Sequence, residues 1–141
     1  MRILGLDLGE KRIGVAVSDP LGITAQGVKV VQRGGLKRDL EEIEKVVQEY
    51  GVEEIVLGLP LNMNGTLGPK AEEVKEFGRR LEQRFNLKVI YQDERLSSKA
   101  VEGMLIEADV RRNKRKRVID KLAAAYILQG YLDRRRDMVI D

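Results

Sequence analysis

The N-terminal stretch constrains the fold more than any other part of the chain. In "GLDLGEKRIGVAVSD", residues 5–19, a short polar turn joins two apolar runs rich in Leu, Ile and Val, which is the pattern of a β-hairpin. One carboxylate, Asp7, interrupts the first apolar run. Because an isolated buried carboxylate is costly, Asp7 needs partners. These are either the backbone amides of residues 9–12 or a bound ligand.

The remaining residues alternate between strand and helix patterns. Runs at 2–8, 12–19 and 23–32 are short, rich in Val and Ile, and separated by turn residues. Apolar residues then recur at helical spacing from Leu36 to Tyr50, just before Gly51. The later elements are predicted as a strand at 54–58, a helix at 71–85, a strand at 87–92, a helix capped by Ser97, and a last helix over 118–135.

This order of elements predicts an α/β fold. Three antiparallel strands followed by strand–helix units form a mixed five-stranded sheet with helices on both faces. The first strand is expected at the centre, because it is apolar on both alternations apart from Asp7. With 141 residues, the chain is expected to form a single domain over residues 1–141. It carries neither a membrane-length apolar run nor a signal-peptide pattern, so a cytoplasmic location is expected.

Two missing residue types exclude most kinds of catalytic site. The sequence contains no cysteine and no histidine. Thiolate nucleophiles, His-dependent triads and the usual zinc ligands are therefore excluded. Catalysis by this chain would depend on carboxylates, hydroxyls, lysines or a bound metal.

Acidic residues from distant parts of the chain are predicted to meet at one end of the sheet. Asp7, Asp93 and Glu94 lie near the ends of predicted strands, where active sites of such sheets form. Asp120 shares a predicted helical face with small alanines that allow a close approach to the sheet. Clustered carboxylates repel one another unless a cation neutralises them, and oxygen ligands suit Mg²⁺ or Mn²⁺. Two such ions would support phosphodiester hydrolysis.

The positive charge is concentrated near the C-terminus. Residues 1–110 carry a net charge of −3, whereas residues 111–141 carry +6. Six of the seven residues of "RRNKRKR" (111–117) are cationic, and we expect this run to form a loop before the last helix. Such a run either contacts nucleic acid or is simply solvated. The candidate phosphate contacts are Arg111, Arg112, Lys114, Arg115, Lys116 and Arg117.

Four motifs in the same order resemble the YqgF/RuvX family of ribonuclease H-like proteins. They are "LGLDLGEKRIGVAVSD", "GLPLNMNG", "DERLSS" and "DKLAAAYILQGYL". Members are described as Holliday junction resolvases and as nucleases that process the 5′ end of precursor 16S ribosomal RNA. The resemblance implies a ribonuclease H-like nuclease domain whose catalytic, metal-binding acids are Asp7, Glu94 and Asp120. It also implies a structured nucleic acid as substrate and ribosomal precursor particles as partners.

Each acidic candidate has a structural alternative. Asp93 is the alternative ligand after the fifth strand, because alternate residues of a strand face opposite ways. Glu94 and Arg95 are either a ligand with a phosphate contact or an exposed ion pair. Asp120 is either a ligand or a carboxylate placed near the N-terminus of the last helix by its dipole.

The polar candidates in loops also have two interpretations. Lys11 and Arg12 are either phosphate ligands beside Asp7 or a solvated hairpin tip. Asn62 and Asn64 of "GLPLNMNGTLG" either contact the substrate or belong to a simple connection. Asp19, which precedes Pro20, is expected to be a turn residue.

Two other function classes are compatible with parts of the sequence. The opening motif also resembles the first phosphate loop of actin-like ATPases and sugar kinases, but those proteins need two such lobes and this chain has no internal repeat. A catalytically silent RNA-binding factor for ribosome assembly is the other class. The sequence does not decide between RNA and DNA as substrate, nor between a monomer and a dimer.

Overall fold

The computed structural model describes residues 1–62, 64–93 and 112–139, which form a five-stranded mixed sheet with helices on both faces. The sheet has the order β3-β2-β1-β4-β5, so β1 is central as predicted. The pairs β1–β2 and β2–β3 are antiparallel, and β1–β4 and β4–β5 are parallel. The elements are β1 (Arg2–Leu8), β2 (Arg12–Ser18), β3 (Ala25–Gln32), α1 (Leu36–Tyr50), β4 (Val52–Leu59), α2 (Pro69–Phe85), β5 (Lys88–Asp93) and α3 (Arg112–Val139).

Most predicted boundaries agree with these bounds to within two residues. Gly51 ends α1 in the left-handed conformation, with its amide bonded to the carbonyl of Val47. Strand β3 begins two residues later than predicted, because the Asp19 carboxylate accepts hydrogen bonds from the amides of Ile23 and Thr24 at 2.6 and 2.8 Å. Asp19 is thus the turn residue that the sequence predicts. The predicted helix capped by Ser97 lies outside the described residues.

The last helix differs from its prediction. It begins at Arg112 instead of residue 118, so the prediction of a loop is wrong for residues 112–117. Arg and Lys are good helix formers, and this preference outweighs the repulsion between neighbouring cations. Within the described parts of the chain, no helix is both long and apolar enough to cross a membrane.

The sheet separates two apolar layers. On one face, Leu4 and Leu6 of β1 belong to a buried cluster with side chains of α1 and α2 such as Ile43 and Leu81. On the other face, Ile3 packs in a second cluster that includes Leu128 and other residues of α3. Because side chains alternate along a strand, the odd-numbered residues of β1 face α3. Asp7 is therefore on the α3 face.

Helix α3 lies close to the sheet because glycines replace side chains beneath it. A Cβ on Gly14 of β2 would overlap the carbonyl oxygen of Asp120, and one on Gly5 would lie 2.7 Å from the Cβ of Leu128. Such distances leave no room for any other residue type. The close approach brings Asp120 next to β2 and β1.

Polar contacts fix α3 further along its length. The Gln129 side chain accepts a hydrogen bond from the amide of Ala25 at 2.9 Å and donates one to the carbonyl of Ile23 at 2.9 Å. The Tyr131 hydroxyl donates to Glu54 Oε1 of β4 at 2.8 Å. Partial burial and the Glu54 carboxylate raise the pKa of Tyr131 to about 12, so the hydroxyl stays protonated as a donor. The helix is thus anchored to both β3 and β4.

Candidate active site

A cleft of about 280 Å³ opens at the carboxyl ends of the parallel strands β1 and β4. Asp7 near the end of β1, Pro60 after β4 and Asp120 of α3 line it, together with residues of α2. Active sites of sheets with parallel strands form at this end. The structure therefore brings two of the three predicted catalytic acids to one cleft.

Asp7 is positioned by the centre of the sheet. Its direct partner on β2 is Gly14, the residue against which the Asp120 backbone lies. Asp7 is half-buried, whereas the preceding residues of β1 from Ile3 to Leu6 are buried. The nearby Gly9 amide donates to the carbonyl of Arg12 at 2.9 Å, so this turn amide is bonded within the hairpin.

Asp120 forms an ion pair with Arg12 of β2. Arg12 Nε, at the start of β2, lies 2.5 Å from Asp120 Oδ2, and the two side chains are 28% and 21% exposed. The alternative that placed Asp120 at a helix N-terminus is wrong. Helix α3 begins at Arg112, and the effect of the dipole falls off within the first turn.

Asp93 occupies the opposite face of the sheet from Asp7. It pairs with Leu59 at the end of β5, and it lies on the same face of the strand as Val89 and Tyr91, which pack in the layer of α1 and α2. Strand alternation therefore disfavours Asp93 as the partner of Asp7. Glu94, the other candidate, lies outside the described residues, as do Arg95 and Arg111.

Arg33 holds the turn that follows Asp7, a role that sequence reasoning missed. Its backbone amide donates to the carbonyl of Lys11 at 2.9 Å, and its Nη1 donates to the carbonyl of Gly9 at 2.7 Å. The same guanidinium lies 3.8 Å from Asp39, whose side chain is only 2% exposed. Arg33 follows a predicted strand and has no motif around it, so only the fold reveals this contact.

A second cleft of about 260 Å³ adjoins the first at Asp120. Lys11 and Arg12 line it, together with the turn at Gly9 and Glu10. These are the two residues of the hairpin that the sequence proposes as phosphate ligands. Arg12 is paired with Asp120, and Lys11 is exposed.

The loop after β4 uses its amides internally. Asn62 Nδ2 donates to Thr66 Oγ1 at 3.0 Å, and Asn64 Oδ1 accepts from the amide and the hydroxyl of Thr66 at 3.1 and 2.6 Å. Both asparagines are exposed. Their hydrogen bonds favour the structural interpretation, and substrate contact stays a prediction.

Other charged residues of the main cleft were not singled out by the sequence. Glu10 Oε1 lies 3.6 Å from Lys70 Nζ, and Glu73 Oε1 lies 3.6 Å from Arg33 Nη1. No motif marks Glu73, because α2 reaches the cleft only through tertiary packing, whereas Glu10 belongs to the turn of the opening hairpin.

The donor set suits a hard divalent cation. Mg²⁺ is commonly held by one or two carboxylates together with substrate phosphates, and Asp7 and Asp120 are two carboxylates from separate elements that could hold it. Among residues 1–62, 64–93 and 112–139, no group of three acids is close enough to hold an ion. The third predicted ligand, Glu94, is outside this set.

The fold is shared with solved resolvases. Thermus thermophilus RuvC in complex with a Holliday junction substrate has a TM-score of 0.59 at 17% identity, covering 96% of each chain. The fowlpox virus Holliday junction resolvase has a TM-score of 0.55 at 17% identity, covering 94% of this chain and 99% of that one. At such identities the likeness establishes the ribonuclease H-like fold.

Sequence comparison identifies the family. A protein of Syntrophomonas wolfei is 61% identical over 133 residues, covering 94% of each chain, and one of Clostridium botulinum strain Eklund 17B is 57% identical over 134 residues, covering 95% of this chain and 98% of the relative. Both are named "Putative pre-16S rRNA nuclease". The family model described as "RuvX: Holliday junction resolvase" matches residues 1–134. The chain belongs to the RuvX family.

Proposed function

We propose that this chain is a divalent-metal-dependent nuclease that trims the 5′ end of precursor 16S rRNA. The observation that carries the proposal is the convergence of Asp7 and Asp120 at one cleft, at the end of the sheet where this fold places its chemistry. Precursor rRNA is made and trimmed in the bacterial cytoplasm, so a cytoplasmic location and contact with ribosomal precursor particles go with the proposal.

The acids would hold the metal, and the basic residues would hold the substrate. Asp7, Asp120 and Glu94 are the proposed ligands of Mg²⁺ or Mn²⁺, in a two-ion arrangement. When bound, such ions supply an activated water and stabilise the leaving oxygen. Lys11, which lines the adjoining cleft, is proposed to contact a substrate phosphate. Arg95 and the basic run at residues 111–117 are proposed to hold the backbone farther along the substrate.

RNA is favoured over DNA by the relatives that cover nearly the whole chain. The two quoted relatives, at 61% and 57% identity, are both named for precursor 16S rRNA. The DNA alternative comes from the family description, and the resolvases that share the fold are only 17% identical. Membership of the RuvX family favours a nuclease over the kinase alternative.

A cleavage assay with two substrates tests this proposal. Purified protein is incubated with a labelled precursor 16S rRNA 5′ fragment and with a labelled four-way DNA junction, in Mg²⁺, Mn²⁺ or EDTA. We expect cleavage of the RNA with either metal and none in EDTA. Asp7→Asn should reduce the cleavage rate by more than about a thousandfold, since a metal contributes several kcal/mol to the transition state.

A matched variant controls for the substitution itself. Asp133→Asn makes the same change on α3 at a carboxylate bonded to Gln129 and Arg136, away from the cleft. It should retain the wild-type rate. Preferential cleavage of the junction would move the assignment to the DNA alternative. RNA binding without cleavage, unchanged in Asp7→Asn, would support the silent assembly factor instead.

A further inference from the structure

The Arg12–Asp120 ion pair presents a conflict between two roles. The guanidinium lies 2.5 Å from Asp120 Oδ2, and the pair is largely shielded, with side chains 28% and 21% exposed. A carboxylate that is to bind a divalent cation must give up such a contact, because the guanidinium and the cation repel each other at this range. The pair therefore opposes cation binding at Asp120.

The second cleft has room for a phosphate that could replace Asp120 as the partner of Arg12. Arg12 and Asp120 both line the second cleft of about 260 Å³, together with Lys11. A phosphate in this cleft would be within reach of a lysine and an arginine at adjacent positions of the hairpin. The planar guanidinium binds phosphate oxygens in the same forked manner in which it binds a carboxylate.

We propose that Arg12 exchanges partners, from Asp120 in the free protein to a substrate phosphate in the complex, and thereby couples cation binding to substrate binding. The inference rests on the proposed function, since it requires that Asp120 is a cation ligand. In the free protein Arg12 neutralises Asp120 and keeps its affinity for divalent cations low. A phosphate that takes Arg12 releases Asp120, so each ligand strengthens the binding of the other by the same factor.

The first measurement is the affinity of the free protein for Mn²⁺, by isothermal titration calorimetry. Arg12→Gln should bind Mn²⁺ about three- to tenfold more tightly than wild type. Without the guanidinium, Mn²⁺ no longer competes with a partly buried ion pair for Asp120, and such a pair changes the affinity by roughly this factor. Lys11→Gln removes the same charge from the adjacent residue and should change the affinity by less than about twofold. Arg12→Lys keeps a cation beside Asp120 and should remain near wild type.

The second measurement is the affinity for a labelled 2′-O-methyl oligonucleotide, by fluorescence anisotropy with and without Mn²⁺. Wild type should bind it more tightly when Mn²⁺ is present, and Arg12→Gln should lose most of this difference. Lys11→Gln should retain the difference even if its overall affinity falls.

Three results separate the possible failures. Equal Mn²⁺ affinities for Arg12→Gln and Lys11→Gln would overturn the partner exchange and leave the nuclease assignment standing. An Mn²⁺-dependent gain in oligonucleotide affinity that survives in Arg12→Gln would also overturn it. Mn²⁺ binding that is unaffected by Asp7→Asn would overturn the exchange and the proposed metal site together.

Discussion

Gly14 lies where α3 crosses β2, and its missing side chain decides where Asp120 can be. A Cβ at this position would overlap the carbonyl oxygen of Asp120, which is backbone and cannot rotate away. Any larger residue must therefore displace the helix from the sheet. The position of one proposed ligand thus depends on a residue that takes no part in the chemistry.

Gly14→Ala should consequently impair both stability and cleavage. Forcing a methyl group into a packed interface typically costs about 1–3 kcal/mol, and the displaced helix moves Asp120 away from Asp7. Gly130→Ala is the matched control, because its Cβ would meet only the flexible Gln92 side chain at 3.2 Å. Thermal unfolding and cleavage rates of both variants check this, and a Gly14→Ala protein with wild-type rates would contradict it.

Arg33 acts on the site through the backbone of the turn after Asp7. Its guanidinium joins the carbonyl of Gly9 to the buried carboxylate of Asp39. Lysine keeps the charge but lacks the fork that reaches both groups. If the proposed site is correct, we expect Arg33 to be a positioning residue whose effect appears in the chemical step.

Arg33→Lys should lower kcat by about ten- to hundredfold with little change in KM, since small displacements of reacting groups have effects of that order. Its melting temperature should stay close to that of wild type. Arg79→Lys makes the same replacement at an exposed pair with Glu76 on α2, and should leave kcat unchanged. Parallel losses of stability and kcat in Arg33→Lys would show a purely structural role.

At the scale of elements, the cationic run is part of a helix, which changes how it can bind nucleic acid. Residues 112–117 form the start of α3, and successive helical residues lie about 100° apart around the axis. One nucleic-acid strand can therefore meet only part of the run. The helix dipole also disfavours cations near the N-terminus, and a bound polyanion would offset this unfavourable interaction.

Replacing Arg115, Lys116 and Arg117 by Gln should weaken nucleic-acid binding and reduce its dependence on salt. Each lost phosphate contact lowers the log–log salt slope by about 0.9 for a duplex and about 0.7 for a single strand. The control replaces Arg79, Arg80 and Arg84 of α2 by Gln, which removes the same net charge. Salt titrations of binding compare the α3 variant with the α2 variant. Identical log–log salt slopes for the two variants would mean that the start of α3 is a solvated surface.

The sequence predicts the helices and strands better than it predicts the residues of the candidate site. Periodicity located β1 and α1 because their apolar faces are local patterns. Asp7 was recognised because a carboxylate in an apolar strand is locally anomalous. Arg33 and Glu73 could not be recognised, since their contacts with the turn and with each other depend on how β3 and α2 pack. The charge of residues 112–117 suggests a loop, whereas their helix propensity prevails in the structure and starts α3 at Arg112.

At the scale of the whole molecule, surface charge networks tie the helices to the sheet and make stability depend on pH. Glu42 of α1 accepts hydrogen bonds from Lys29 of β3 at 2.8 Å and from Lys45 at 2.9 Å. The Lys29 contact is the main cause that lowers the pKa of Glu42 from 4.5 to about 2. Hydrogen bonds from turn amides, that of Thr24 first, likewise lower the pKa of Asp19.

The sign of the effect follows from proton binding. The folded protein holds the Glu42 proton less tightly than the unfolded chain, so the unfolded state takes up more protons as the pH falls. The contribution of Glu42 is therefore fully present above about pH 4.5 and is lost progressively towards about pH 2. Denaturant unfolding of wild type and Glu42→Gln at pH 7 and pH 3 should show a stability difference that shrinks in acid. A Glu42→Gln stability difference that is constant or larger in acid would contradict this prediction.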